Sequence, residues 1–563
     1  MTPSFSHGLG GTTENLVFVN GLQRSRLLSR ARLLTRRSVI RGLCTSLTIG
    51  HLTACDAIRS THHTPQGRLE LLLQEPTTID PGLVTHPHEA TVTEALFEPL
   101  IHSTSNGSIR PGAAKSWEVS TDGQVYRFSL YKDRRWTTGE VVTAEDFTWA
   151  WKRNLSPEFG ATLRDLFFPI AGAQDFAKIG KDPKQLGISA TEKHLITAQL
   201  THKDPSFLSR TGTSPYMPLP RGEIEGMGAY WTKPGNIRGN GAYKLVQWDK
   251  GRGISLHPNT HYTGPPALFR DVVIRFPDSN TDLTTAFRTG RAHVAEMSPA
   301  AYVAAKATRD LAPLLHLYER TGSWFIVLNT RKPPWHLPRI RLALSLALDR
   351  KQLIATAFDQ IALPSTRLVP STVLSNPNTD PPNIDAARRL LANAGFTGRN
   401  RLPTLQLTYH QTDQGDRITE ELARQWQTSL GLHVEPDARD WAAFRSFTSN
   451  KPEFDGYQAT WNSTYRHPKA WYDEIWNSDV DRFGSGWANA EFDNQLNIAS
   501  TTTGTNRHNA YLAADTILNM ESPAIPIANF ASAFLIRPIV TSFDINPVSG
   551  AIDLRKVKIA ASN

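Results

Sequence analysis

Cysteine is almost absent: of 563 residues only Cys44 and Cys55 are cysteines. A body without thiols beyond position 55 has no disulfide framework and no cysteine-ligated metal, so its stability must come from buried apolar surface. A Gly-x-Ser-x-Gly nucleophile elbow, a His-Glu-x-x-His pair and a phosphate-binding glycine loop are also missing from the sequence, which removes the most legible hydrolase and nucleotide signals. Carboxylates are plentiful, yet none are spaced as a pair for acid–base work. There is no internal repeat and no low-complexity block. Together these absences point away from an enzyme.

What is present begins with charge. The net charge of +9 suggests a nucleic-acid partner until it is located. Arg24, Arg26, Arg30, Arg32, Arg36, Arg37 and Arg41, against the single acid Glu14, concentrate the excess in residues 1–54. The remaining body is close to neutral and offers no phosphate-tracking surface. Within that leader, Thr35-Arg36-Arg37-Ser38-Val39-Ile40-Arg41 precedes a short, weakly apolar stretch, Gly42 to Gly50, and then Leu52-Thr53-Ala54-Cys55. Basic, apolar and small residues in that order read as a signal peptide, too short in its apolar part to span a bilayer stably. The first string resembles a twin-arginine export signal built on Arg36 and Arg37. The second resembles a lipobox, which implies cleavage before Cys55 and acylation of its thiol. Asp56 resembles an inner-membrane retention signal. Residues 55–66 read as a polar tether.

The body alternates strand and helix signals, which makes the class α/β. Leu69–Leu73 reads as a buried strand. Val125–Tyr131 alternates apolar and polar. Thr143-Ala144-Glu145-Asp146 has capping-box spacing, with Phe147, Ala150 and Trp151 on one helical face. One apolar stripe runs from Ile340 to Phe358 after Pro338. Further helices are expected over Ala386–Ala394 and Asp416–Leu430, stopped by Gly395 and Gly431, with a strand at Leu432–Glu435.

An ordered series of strings then carries a family resemblance. It includes Leu96-Phe97-Glu98-Pro99-Leu100, Pro111–Trp117, Asp122-Gly123, Trp136, Thr143–Phe147, Lys233–Ile237, Asn240–Leu245 and Asn259 with Tyr262. Pro333-Pro334, Arg339–Arg341, Ala347–Arg350, Leu390–Phe396 and Phe454-Asp455 with Trp461 follow. In this order they resemble the family 5 extracellular solute-binding proteins of oligopeptide and dipeptide ABC importers, from about Leu69 to the C-terminus. The resemblance implies a periplasmic binding protein type II-like clam shell of two lobes plus an inserted domain. Lobe I would take 67–87, 208–313 and 534–563, the inserted domain 88–207, and lobe II 314–533. It further implies a monomeric, non-enzymatic periplasmic receptor, anchored through Cys55, with no cofactor. Its partners would be a peptide or small-molecule ligand, the ABC permease in the inner membrane, and the twin-arginine or general export machinery. A periplasmic chaperone or sensor component is the other class of reading.

In peptide-binding relatives an Asp shortly after the Trp at this chain's 461 captures the ligand's ammonium. Thr464 stands at the matching position. Gln458, Thr448 and Gly415 stand where relatives neutralise peptide C-termini with basic groups. None of these four carries charge, so the expectation is a cleft without ionic grips. It would suit a peptide-like compound, or a sugar, conjugate, modified peptide or metal chelate. Glu75, Trp441, Gln458, Trp461, Asn462, Thr464 and Tyr465 are the candidate ligand contacts, because aromatics with amides and hydroxyls suit neutral polar ligands. Trp117 and Trp136 are expected in the core, and Arg339, Arg341 and Arg350 as solvated or ion-paired helix residues. Asp473 and Glu474 are expected to be solvated on a helix, and His86, His88 and Glu89 to be surface loop residues and not a metal set.

Overall fold

The computed structural model describes residues 66–103, 108–180, 182–358, 361–375, 381–450 and 453–560. The leader, including Cys55, Arg36 and Arg37, lies outside the described residues. Among those described, no helix is long and apolar enough to cross a membrane.

One mixed sheet of eleven strands organises the body. At its centre two long antiparallel strands, Leu315–Leu328 and Ala524–Ile536, run side by side. On one flank lie Gly456–Asn462, Leu405–His410 and Val434–Arg439, in that order outward. On the other lie Val294–Glu296, Gln66–Leu72, Phe269–Arg275, Gly253–Pro258 and Tyr243–Asp249. The eleventh strand, Ala362–Pro364, pairs with Ala524–Ile536. Gln66–Leu72, the expected early strand, is parallel to Phe269–Arg275 and to Val294–Glu296. Leu69 and Leu71 are fully buried.

A separate four-stranded antiparallel sheet takes Ala114–Val119, Val125–Leu130, Leu195–Gln199 and Ile188–Glu192 in spatial order. Tyr126, Phe128 and Leu130 are buried while Arg127 and Ser129 are exposed, the alternation expected of a half-covered strand. Over it packs the helix Ala144–Leu155, where the Thr143 N–H donates to Asp146 Oδ2 at 2.7 Å. Its Phe147, Ala150 and Trp151 are completely buried. Trp136 is buried in the same core and Trp117 is half-buried against it.

The stripe from Ile340 to Phe358 is two helices and not one, Pro338–Leu346 and Arg350–Ala357. Asp349 causes the break: its side chain accepts from the Gln352 N–H at 3.0 Å and caps the second helix. Ile384–Asn393 and Asp413–Leu430 are helices. The latter starts three residues earlier than expected because Thr412 caps it, accepting from the Gly415 N–H at 3.0 Å. Gly431 adopts φ 69° at its end, and the following strand is Val434–Arg439.

Arg341 and Arg350 are buried, Arg341 within reach of the acid Glu521 as an ion-paired residue would be, and Arg350 held by carbonyls and a hydroxyl in place of the solvent or ion pair expected. Both close helix ends, where the last carbonyls lack intrahelical donors. Arg341 donates to the Glu521 and Ser522 carbonyls after the helix Gly504–Glu521, each at 3.0 Å from Nε, and to the Trp335 carbonyl at 2.8 Å. Its Nη2 stands 3.6 Å from the Glu521 carboxylate. Arg350 donates to the Ser345 carbonyl at 3.0 Å and the Pro526 carbonyl at 2.9 Å. Burial pulls both guanidinium pKa values down to about 10. Arg350→Ala removes its charge-assisted bonds to Pro526, Leu348 and both oxygens of Ser345 inside the fold, and the expected loss is about 3 kcal/mol of unfolding free energy. Urea denaturation reads it. Arg350→Lys, lacking the fork, should recover less than half.

Candidate ligand-binding site

The central strand pair is irregular at one place. Glu319 pairs with Ala531 and Ser323 with Asn529, so four steps along one strand oppose two along the other. A bulge of this kind bends the strand and re-aims its side chains. It contains Arg320, Thr321 and Gly322. A Cβ on Gly322 would meet the Phe530 ring at 2.4 Å, so only glycine fits there.

Thr321, fully buried, ties three chain segments together at the bulge. Its N–H donates to the Pro547 carbonyl at 3.1 Å, its hydroxyl to the Ser463 carbonyl at 3.1 Å, and its carbonyl accepts from the Ser463 N–H at 3.3 Å. Beside this knot opens a cavity of about 190 Å³. Its wall is supplied by 84–86, one face of the helix Pro87–Leu96, 99–103, 209–217, Arg320, 462–466, 546–549 and Arg555.

Of the seven candidate contacts, the structure brings two, Asn462 and Thr464, to this wall. Both follow directly from the end of the strand Gly456–Asn462. The other five are used elsewhere. Glu75 accepts from Trp248 Nε1 at 3.1 Å and from the Gly251 N–H at 3.0 Å, pinning a hairpin turn. Gln458 donates to Thr419 Oγ1 at 2.7 Å and to the Gly415 carbonyl at 3.2 Å, so it and Gly415 serve strand–helix packing. Trp461 donates to the Ala470 carbonyl at 3.0 Å and lies under Arg482. Thr448 donates to the Arg445 carbonyl. Trp441, 56% exposed, stands against His410 with ring centroids 4.9 Å apart, away from the cavity wall.

Tyr465 is buried in a polar cluster behind the wall. Arg210 donates to Tyr465 Oη at 2.9 Å and to Glu474 Oε1 at 2.7 Å, and Tyr465 also donates to Glu474. Asp204 accepts from Ser206 Oγ at 2.6 Å and from Lys469 Nζ at 3.1 Å. Asp473 and Glu474 therefore depart from the solvated helix expected of them: they lie in a single π turn, Tyr472–Trp476, half-buried against this cluster. Burial, with Asp204 nearby, pushes the Asp473 carboxyl up to about 7. Burial drives the His467 imidazole down to about 3. In Asp204 the cations Lys469 and Arg210 outweigh burial and hold the carboxyl at about 2.

His86, His88 and Glu89 converge, with possible ligand atoms within 4.8 Å of one another. His88 and Glu89 are buried and not the surface residues expected. The Glu89 carboxylate is already committed, accepting from Thr77 Oγ1 and from the N–H groups of Thr77, Thr85 and His86 at 3.3, 3.0 and 3.1 Å. That is the work of a helix cap, and it leaves little lone-pair capacity for a cation.

Charged side chains are also present at this cavity. Arg320, Arg466 and Arg555 line the cavity together with one acid, Glu94. None of these four stands at a position the sequence comparison had singled out. The bulge around Gly322 and the separation of 94, 320, 466 and 555 along the chain hid them.

A sheet bridged by two long strands, with a polar cavity at their irregularity, is the build of a type II periplasmic-binding-protein fold. The chain belongs to the bacterial extracellular solute-binding proteins, family 5, whose model matches residues 108–482. It is 28% identical to the periplasmic murein peptide-binding protein MppA of Escherichia coli K12, over 84% of this chain and 89% of that one. It is also 28% identical to the probable deoxycholate-binding periplasmic protein YgiS of the same organism, over 84% and 89%. Among solved structures, the unliganded open form of MppA superposes with a TM-score of 0.79 at 26% identity, covering 88% of this chain and 98% of that one. A second structure of E. coli MppA, at 26% identity and covering 89% and 99%, superposes at 0.59.

The buried titrating groups set a pH test. Unfolded, Asp473 ionises near pH 4; folded, near 7. Between those values the folded chain holds the extra proton, so this group's contribution falls as pH rises. His467 acts oppositely, its contribution falling as pH drops below the unfolded value near 6.5. Asp473→Asn should therefore gain stability relative to the parent as pH goes from about 4.5 to about 7.5, read by urea melts across that range. A difference that stays flat with pH would place the Asp473 carboxyl in water.

Proposed function

We propose that this chain is a receptor of an ABC importer that captures a peptide or peptide-like solute at the cavity beside Thr321 and passes it on without turnover. The observation that carries the reading is the position of that cavity. It lies at the irregularity of the two strands that join the halves of the sheet, so a ligand there touches segments from both halves. In this reading 67–87, 208–313 and 534–563 form one lobe, 314–533 the other, and 88–207 an inserted domain. Binding then shifts an open–closed equilibrium, and closure buries the solute. The better fit to the unliganded open form of MppA, with a TM-score of 0.79, supports an open resting state. A peptide solute is supported by the name of that relative. A non-peptide solute is the second reading, favoured by equal identity to the protein named for deoxycholate.

The mature chain is proposed to begin at an acylated Cys55, after export directed by Arg36 and Arg37, and to work as a monomer on the outer face of the inner membrane. Acylation contributes about 0.8 kcal/mol per buried methylene, enough with several chains to hold a protein at a bilayer. Cys55→Ala should move the protein from the membrane to the soluble fraction on fractionation, with ligand affinity unchanged.

The receptor reading is tested by calorimetric titration of the mature chain with tri- to pentapeptides and with deoxycholate, beside chromatography of the recovered ligand. Saturable binding with the ligand recovered intact is expected. Product formation, or no saturable binding by any member, would remove the receptor reading.

A further inference from the structure

The register of the two central strands locates a joint in the sheet. Residues 315–319 pair with 531–535, and 534–536 of that partner strand in turn carry Val294–Glu296. Residues 323–328 pair with 524–529 and, on their other edge, with 456–461. Each half of the strand Leu315–Leu328 is thus bonded to a different flank, and the bulge at 320–322 lies between the halves. A short irregular segment between two separately paired halves is where backbone rotation disturbs the fewest bonds. Its one charged side chain is Arg320.

Arg320 lies along 548–550: Nη2 donates to the Val548 carbonyl at 3.1 Å, and a Cβ on Gly550 would sit 3.2 Å from the guanidinium carbon. Its acidic neighbour is Glu296, at the end of Val294–Glu296, and Arg320 is the cation that acts on Glu296 in return. Yet no ion pair joins the two among the described residues. Each keeps a buried atom without a hydrogen-bond partner, Glu296 Oε2 and Arg320 Nε. Opposite charges face each other at the joint without touching. Burial pushes the Glu296 carboxyl up to about 7, because Arg320 at this separation offsets part of the lost hydration and not all of it. Burial likewise lowers the Arg320 pKa.

Among the described residues, no second charge acts on Glu296. Leu315–Leu328 brings exposed His316 and half-buried Tyr318, Ala524–Ile536 brings Phe534 and Ser532, and Gln66–Leu72 brings Leu71 and Leu72. Asp544 acts on Tyr318 and Arg466 and is bonded by Lys556. Glu319 accepts from Asn529, Ser371 and Thr372. We infer that Glu296 is a proton-linked trigger at the joint: as the flanks close its carboxylate draws in Arg320, so loss of its proton to solvent favours the closed form. This rests on the receptor reading above and on the present form being the open one. Apart from Arg320 the carboxyl titrates at about 7, and contact with a cation lowers that value. Closure therefore releases a proton, and raising pH through neutrality favours closure. One such group shifts the closed-to-open ratio by at most about tenfold between pH 6 and pH 8.

Two measurements test this on the mature chain carrying Cys55→Ala, whose body has no other thiol. Spin labels on Val246→Cys and Val480→Cys, an exposed residue in each proposed lobe, report the interlobe distance without ligand. From pH 6 to pH 8 the closed-to-open ratio should rise about threefold or more in the parent. It should stay level in Glu296→Gln, which matches the protonated acid in shape, and in Arg320→Gln. Calorimetry at pH 7 with Ala-Ala-Ala and with deoxycholate, in buffers of different ionisation enthalpy, counts protons. On binding, the parent should release about half a proton more than Glu296→Gln. Asp473→Asn, which removes the other carboxyl titrating at about 7, should leave that difference in place. Circular dichroism checks folding, and Glu296→Gln decides alone should Arg320→Gln not fold.

If a probe closes the lobes while the parent and Glu296→Gln release equal protons, the trigger is overturned and the receptor reading stands. A ratio that falls or stays level from pH 6 to pH 8 in the parent overturns the trigger, as does a rise that survives in Glu296→Gln. If the rise is lost in the variants but neither probe binds, the trigger stands and the receptor reading for these solutes falls. A distance that moves with neither pH nor probe counts against both.

Discussion

The bulged pairing of the two long central strands is the constraint on which the rest of the site depends. A regular antiparallel pair would run Leu315–Leu328 and Ala524–Ile536 past each other with the N–H and carbonyl of alternate residues bonded across the ladder. Two extra residues on one strand break that ladder at Arg320–Gly322. The freed backbone groups of Thr321 then become available to other segments. They bond to Pro547 and Ser463. A local failure of sheet pairing is thereby converted into a junction of three chain segments, and the cavity lies at that junction. It therefore lies on strands shared by both flanks of the sheet.

Behind the wall, charge is handled in a different way. Arg210 bonds to Tyr465 and Glu474, Lys469 bonds to Asp204, and Arg210 Nε stands 3.6 Å from Asp204 Oδ2, so the two groups form one ionic cluster. Removing one partner from such a buried set leaves another uncompensated, so the set behaves as a unit that fixes the relative placement of 204–210 and 465–474. At the cavity, Arg320 donates to the Val548 carbonyl and has buried Glu296 as its acidic neighbour. The two regions are a few residues apart in sequence at 464–466, yet Tyr465 turns into the closed network while Thr464 and Arg466 turn to the cavity. That alternation puts neighbouring residues on two different sides of the wall.

Much of the architecture was legible in the residues. The alternation of Tyr126, Phe128 and Leu130, the Thr143–Asp146 cap and the stop at Gly431 are short-range signals, and the structure uses all of them. Errors came where a local pattern had two physical outcomes. The stripe from Ile340 to Phe358 runs across a break, because Asp349 caps a second helix whose apolar residues pack in the same core as those of the first. Arg341 and Arg350 look like surface residues of a helix, but they cap the ends of helices brought near by folding, which no spacing can announce. The seven candidate contacts are dispersed for the same reason, two at the cavity and five away from its wall. Gln458 and Glu75 find partners more than 30 residues distant in the chain, at Thr419 and Trp248.

The sequence by itself determined the α/β class, the near-neutral body behind a basic leader, the dependence on a disulfide-free core and membership of a solute-binding family. These follow from composition, period and ordered short motifs, each readable within a few turns or strands of chain. Only the tertiary structure decided the character of the site. Whether a polar side chain faces a ligand or a neighbour depends on contacts between residues hundreds of positions apart, as Glu94 with Ser549 and Arg320 with Val548 demonstrate. Charge at the cavity is a sum over such distant contributors, and folding is what performs it.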